Sequence, residues 1–245
     1  MKFNKLFSIL VSAVIGSLLC LVLFSLPTLA NANLSTTTPK SVDGIPPKAL
    51  KLAINGYRWA LKHHQVANPA ILTVVDFNKP SYEKRMWVID INHAKVLMKM
   101  HVAQGKNSGA VYATHFSNQP GSLESSPGIF TTQNVYDGEH GESLRVNGLE
   151  KGINSNALDR AVVIHPAAYV TPSFIKQNGY AGRSWGCFAV NPANADKLIH
   201  TVKGGSVIFA YANPEKSDPR VAHELSAQGE KLYNKIMHRT SSWFA

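Results

Sequence analysis

Cysteine is scarce in this chain: there are two, Cys20 and Cys187, in 245 residues. That excludes a disulfide scaffold, a cysteine-built zinc ribbon and an iron–sulfur site. Acidic residues are scarce as well, 15 Asp and Glu against 25 Lys and Arg, for a formal charge of +10. The imbalance suits an anionic partner (nucleic acid, a membrane surface or an acidic polymer) and does not by itself choose among them. There is no H-E-x-x-H pair, and His63 and His64 have no further ligand at metal spacing, so a zinc peptidase is not indicated. Internal repeats are lacking. What is present is a globular composition: 44% apolar and 16% charged residues exclude a disordered chain, and a mean hydropathy of −0.09 excludes multiple membrane spans. The length allows one large domain with a core that needs no covalent staples.

Residues 1–32 read as a secretory signal peptide. Lys2 and Lys5 precede an apolar run from Leu6 to Leu29, with Pro27 near its end and Ala30-Asn31-Ala32 as a small-residue cleavage pattern. The run is also nearly long enough to span a bilayer, and the Pro and A-x-A context favours cleavage over anchoring. Cleavage after Ala32 removes two lysines, no acid and Cys20, so the charge falls to +8 and Cys187 remains unpaired. The expected location is secreted or periplasmic, with no stable membrane span after cleavage and no nucleic acid as partner. An odd thiol in an oxidising compartment calls for an explanation from its neighbours.

Residues 33–47 are rich in Thr, Ser and Pro and read as a linker. An N-terminal helical segment is expected over 48–70. Pro47 opens the helix, Leu50, Ile54, Tyr57 and Leu61 form its apolar face, and its end falls near Val66. Short apolar runs predict strands at Ile71–Asp76, Met86–Ile91, Lys95–Val102, Gly128–Thr132, Ser143–Val146, Ala161–His165, Phe188–Val190 and Ser206–Tyr211. Asn191-Pro192 opens a short helix to about Thr201. A C-terminal helical tail over 213–245 is expected to hold a helix from Pro219 to His238. The expected architecture is mainly β: a sandwich or partly closed barrel over 71–212 with flanking helices at both ends.

The chemistry concentrates between Ala161 and Val190. Ala161-Val162-Val163-Ile164 is an apolar strand that delivers His165 at its end, where Pro166 stops the ladder. Gly182-Arg183-Ser184-Trp185-Gly186-Cys187 then describes a tight turn presenting a thiol at a strand start. Backbone N–H groups in such a turn serve as an oxyanion hole, and a histidine on a neighbouring strand serves as base and stabilises the thiolate. Other patterns are weaker. Ser81-Tyr82-Glu83-Lys84 matches S-x-x-K, yet no S-D-N accompanies it. Lys84-Arg85 reads as a solvated face beside a strand, and Tyr136 and His140 as cleft lining or surface loop.

Ile164-His165 followed by Gly182-Arg183-Ser184-Trp185-Gly186-Cys187 resembles the His…Ser-x-Gly-Cys signature of YkuD-type L,D-transpeptidases, and within them the murein L,D-transpeptidase catalytic domain family. Lys84–Asp90, Gly105–Gly109, Ser125–Phe130 and Lys203-Gly204-Gly205 fit the same branch, and the resemblance runs from about Leu50 to Tyr211. It implies Cys187 as acyl-accepting nucleophile, His165 as general base, Ser184 as the hydroxyl that shapes the turn, and Gly186 and Cys187 N–H groups as oxyanion donors. Arg183, Trp185 and Tyr169 become candidate substrate contacts. Trp185 stands where better-known members have His, and Phe188 begins the segment where they carry Arg. The implied donor is a peptidoglycan stem tetrapeptide, and the implied acceptor is an amine, giving a 3–3 cross-link. Water as acceptor (an L,D-carboxypeptidase), transfer to a protein lysine, and a non-catalytic wall-binding module are the alternatives. Neither metal nor cofactor is implied, and carbapenem-type β-lactams are expected inhibitors.

Overall fold

The computed structural model describes residues 44–212 and 223–241, apart from the side chains of 239–241. The expected signal peptide, most of the linker and residues 213–222 lie outside the described residues. Eight strands form one sheet: β1 (Ile71–Asp76), β2 (Met86–Asp90), β3 (Lys95–Met100), β4 (Gly128–Gly138), β5 (Gly141–Gly148), β6 (Val163–Pro166), β7 (Phe188–Val190) and β8 (Val207–Tyr211). Their order is β3-β2-β1-β8-β4-β5-β6-β7. The two edges meet just beyond β3: Val102 bridges Val190, and Ala103 N–H donates to Ala189 O at 2.9 Å. A single curled sheet, partly closed, therefore forms in place of two facing sheets.

The strands β1 and β8 are buried on both faces, which is why they read as unbroken apolar runs. Ile71, Val75, Ile208 and Ala210 face the inside of the curl with Val88, Phe130, Ile164 and Phe188. That space is filled by α3 (Pro192–Val202) through Ala195, Leu198, Ile199 and Val202. Leu72, Val74, Val207 and Phe209 face outward and are covered by α1 (Pro47–Lys62). Each fully buried Leu, Ile or Phe contributes about 1.5–3 kcal/mol by leaving water.

Helix ends follow local chemistry. The first helix stops four residues before Val66 because His64 takes a left-handed backbone, φ 57°. The last helix, α4 (Ala227–Ser241), starts at a serine cap: Ser226 Oγ accepts from Gly229 N–H at 3.2 Å. Its Tyr233 and Ile236 join the outer cluster with α1. A helix not anticipated, α2 (Pro172–Asn178), lies between β6 and β7. Its signals were ordinary ones: a Thr171 cap, Pro172 at the first position and left-handed Gly179 at the end.

Two sequence readings need correction here. The strand β4 runs six residues past Thr132 through a bulge at 133–134, pairs with β5 and turns over Glu139-His140, so Tyr136 is strand and not loop. Arg85 is fully buried and is not part of a solvated face. Its guanidinium donates to Val102 O, Lys79 O and Gln104 Oε1 at 2.7–3.1 Å and faces the Phe77 ring. Burial pulls its pKa down to about 9, with Asp76 opposing that shift. Ser81, the first residue of the S-x-x-K pattern, is also fully buried.

Candidate active site

The parallel pairing of β6 and β7 places the site. Ile164 lies opposite Phe188 and His165 opposite Ala189. Side chains alternate along a strand, so His165 projects away from the inner core that takes Ile164 and Phe188, and Cys187 stands in the bend one residue before β7. From strand spacing and rise, the Cα atoms of His165 and Cys187 are about 8 Å apart. Phe188 anchors the turn from behind, edge-on to Phe130 at 5.5 Å between ring centres and near-parallel to Phe77 at 6.2 Å.

Ser184 organises the turn that carries the thiol. Its hydroxyl donates to Cys187 O at 2.7 Å and accepts from Gly186 N–H at 3.1 Å. Its backbone bridges to the segment after β3: Ser184 N–H donates to Gln104 O at 2.8 Å, and Ser184 O accepts from Lys106 N–H at 2.7 Å. Gln104 is in turn held by Arg85, so the buried guanidinium supports the turn through one intermediary. Gly186 has φ +118°, and a Cβ there would meet Glu124 O at 2.7 Å and Arg160 Nη2 at 3.1 Å. Only glycine fits. Because Gly186 N–H is occupied by Ser184, the expected oxyanion role of Gly186 is not what this geometry provides. What it does here is shape the turn.

The thiol is half-buried, with Sγ 3.6 Å from Ala161 O. Ala161 holds that carbonyl in place with a left-handed backbone, φ 51°. Burial pushes the Cys187 pKa up, while the Val163 backbone and the Arg160 charge pull it back. His165 is buried, and its Nδ1 lies 3.0 Å from Pro166 O. A carbonyl can only accept, so Nδ1 carries the proton and Nε2 is left as a proton acceptor. Burial lowers the His165 pKa, the Pro166 carbonyl opposes this, and the charge of His140 lowers it further. Burial thus favours the neutral form of each group.

His140, at the tip of the β4–β5 hairpin, lies over His165 with ring centres 5.0 Å apart and an interplanar angle of 30°. Replacing it with alanine removes the charge that lowers the His165 pKa, so that pKa is expected to rise. A proton NMR titration of the ring checks this, and an unchanged midpoint would show that His140 does not reach it electrostatically. Tyr169 packs its Cβ against Gly182, where an added Cβ would stand 2.5 Å away. Burial first and the Cys187 charge second push its pKa to about 12. Trp185 is 76% exposed beside the thiol. Arg183 is exposed, and its guanidinium makes a long contact of 3.4 Å to Lys106 O.

Sequence reasoning overlooked Arg160, Gln104 and the carbonyl of Ala161. None carries a local pattern, since each reaches the site through loop folding. It singled out Ser184, Gly186 and Cys187, which share one hydrogen-bonded turn, and His165, which lies on the strand that pairs with β7.

The family model for the L,D-transpeptidase catalytic domain matches residues 41–211. The chain belongs to that family. Among solved structures, an L,D-transpeptidase from Mycobacterium smegmatis is 21% identical, covering 58% of this chain and 59% of its own, with a TM-score of 0.36. The helical cell shape determining protein Pgp2 of Campylobacter jejuni is 9% identical, with 79% and 64% covered and a TM-score of 0.42. An L,D-transpeptidase solved in complex with imipenem, LdtMt1, is 18% identical, with 58% and 59% covered and a TM-score of 0.36. This chain thus spans less than two thirds of the length of these structures. A comparison with curated proteins found no match.

Proposed function

We propose that the chain is an exported, cysteine-dependent peptidoglycan L,D-transpeptidase in which Cys187 is the nucleophile and His165 the general base. The observation that supports this reading is that His165 lies on β6, paired with Ala189 of β7, while Cys187 ends the turn leading into β7, a turn that has only a glycine solution at Gly186. Family membership over residues 41–211 supports the reaction class.

The steps follow from the local chemistry. Sγ attacks the carbonyl of the L-centre of the stem diamino acid as its proton passes to His165 Nε2. The oxyanion forms near Cys187 N–H. Collapse of the tetrahedral species expels D-alanine, which takes the proton from the imidazolium, and leaves a thioester on Cys187. An amine of a second stem attacks the thioester while His165 accepts its proton. The C–S bond then breaks and the thiol is restored. A His165 pKa lowered by burial suits this cycle, because His165 must accept and return a proton at each half-reaction. Exposed Trp185 offers an apolar wall for the donor stem, with Tyr169 and Arg183 as further candidate contacts.

The test is the muropeptide profile of cells expressing the wild type or Cys187→Ala. The wild type is expected to add 3–3 cross-linked dimers that the variant lacks. Tripeptide monomers without dimers would assign water as acceptor. Dimers persisting at equal level in the variant would overturn the proposal.

A further inference from the structure

Arg160 is held in an unusual way. Its Nη1 donates to Ser117 O at 2.7 Å and Ser126 Oγ at 2.6 Å, and its Nη2 to Ser122 Oγ at 3.2 Å and Glu124 O at 2.5 Å. All four acceptors are uncharged oxygens. No carboxylate pairs with it at ion-pairing distance among the described residues. A guanidinium that is half-buried and solvated only by neutral dipoles keeps its full charge and projects it into a medium of low dielectric. That charge stands against the nucleophile turn. Nη2 lies 3.1 Å from where a Gly186 Cβ would be, and the next residue, Ala161, supplies the carbonyl at the thiol.

We infer that Arg160 is the positioning residue whose fixed positive charge stabilises the Cys187 thiolate as its proton moves to His165. The inference rests on Cys187 being the nucleophile. Both Nη groups are fully committed to loop oxygens, so the effect on sulfur acts through charge and not through an Nη hydrogen bond. Other groups facing the thiol do not substitute for it. Tyr169 stays a neutral phenol, its pKa pushed up to about 12, and burial favours the neutral form of His165 until it takes the proton. Glu124 adds its carboxylate to the surroundings of Arg160, which favours the charged guanidinium. The same four hydrogen bonds tie the 117–126 loop to the turn before β6, so a purely structural role is the competing explanation.

The experiment reads the thiol alone. Alkylation of the Cys187 peptide by iodoacetamide is followed by mass spectrometry across pH in the wild type, R160K and R160M. An opposite charge close by lowers an acid's pKa by about 1–3 units. R160M is therefore expected to shift the profile upward and slow alkylation at pH 7 about tenfold, while R160K stays within a few-fold of wild type. A folded R160M with the wild-type profile overturns the inference, and so does an R160K as impaired as R160M. A second readout needs no Arg160 variant: the rate ratio of anionic iodoacetate to neutral iodoacetamide, taken in the R183Q background. It is expected to exceed the ratio for free cysteine severalfold, and equality overturns the inference even where R160M fails to fold. Neither readout needs peptidoglycan turnover, so loss of cross-linking with an intact thiol profile would count against the proposed function and not against the role of Arg160.

Discussion

His165→Gln is expected to slow D-alanine release from a stem tetrapeptide by about 10²–10⁴-fold, the usual worth of a positioned general base. The thiol cannot ionise cheaply unaided, because burial raises its pKa. A glutamine amide preserves polarity but has no proton-accepting nitrogen near neutral pH. The pH profile supplies the signature. His165 titrates below its ordinary value of 6.5, so wild-type activity should persist into mildly acidic solution. It should then fall as pH drops through that lowered pKa and the imidazolium can no longer accept a proton. In His165→Gln this acid limb should vanish along with most of the rate. A variant that retained the limb would show that another group accepts the proton.

Gly186→Ala carries the second large effect. At φ +118° an alanine bears backbone strain of roughly 1–3 kcal/mol. Relief by rotation is blocked, since the new methyl would press on Glu124 O at 2.7 Å, a backbone atom of a loop pinned by Arg160. The turn must therefore move, carrying Cys187 with it and breaking the Gly186 N–H bond to Ser184 Oγ. A displacement of about 1 Å at a reacting atom costs about 10²-fold in rate. The expected outcome is a urea midpoint shifted downward together with a hundredfold or greater loss of turnover. An alanine variant with wild-type stability and rate would show that the turn is not constrained as described.

Much of the fold was legible because the central strands are buried on both faces. Ile71–Asp76 forms as expected, a run of apolar and β-branched residues that is buried throughout, and Phe188–Val190 forms as expected at the edge where the sheet closes. The continuation of β4 was not legible. Gln133 and Asn134 interrupt the alternation, and only the bulge and the partner strand β5 restore it beyond them. Arg85 misled for a similar reason. A charged residue reads as solvated until three oxygens from distant segments converge on it. In the site, the histidine before proline and the glycine-flanked turn are local patterns and were read directly. Arg160 and Gln104 reach the turn through loops whose mutual approach no short segment encodes, and the directions in which the Cys187 and His165 pKa values shift depend on burial.

The central claim is that Cys187 carries the acyl group. Purified enzyme mixed with a disaccharide tetrapeptide, quenched in acid within the first turnover and digested, should yield a Cys187 peptide heavier by the tripeptide acyl unit. That adduct should be removed by hydroxylamine, as a thioester is, and should appear in proportion to released D-alanine. Release of D-alanine at the wild-type rate by Cys187→Ala, or release without any adduct on the Cys187 peptide, would contradict the account.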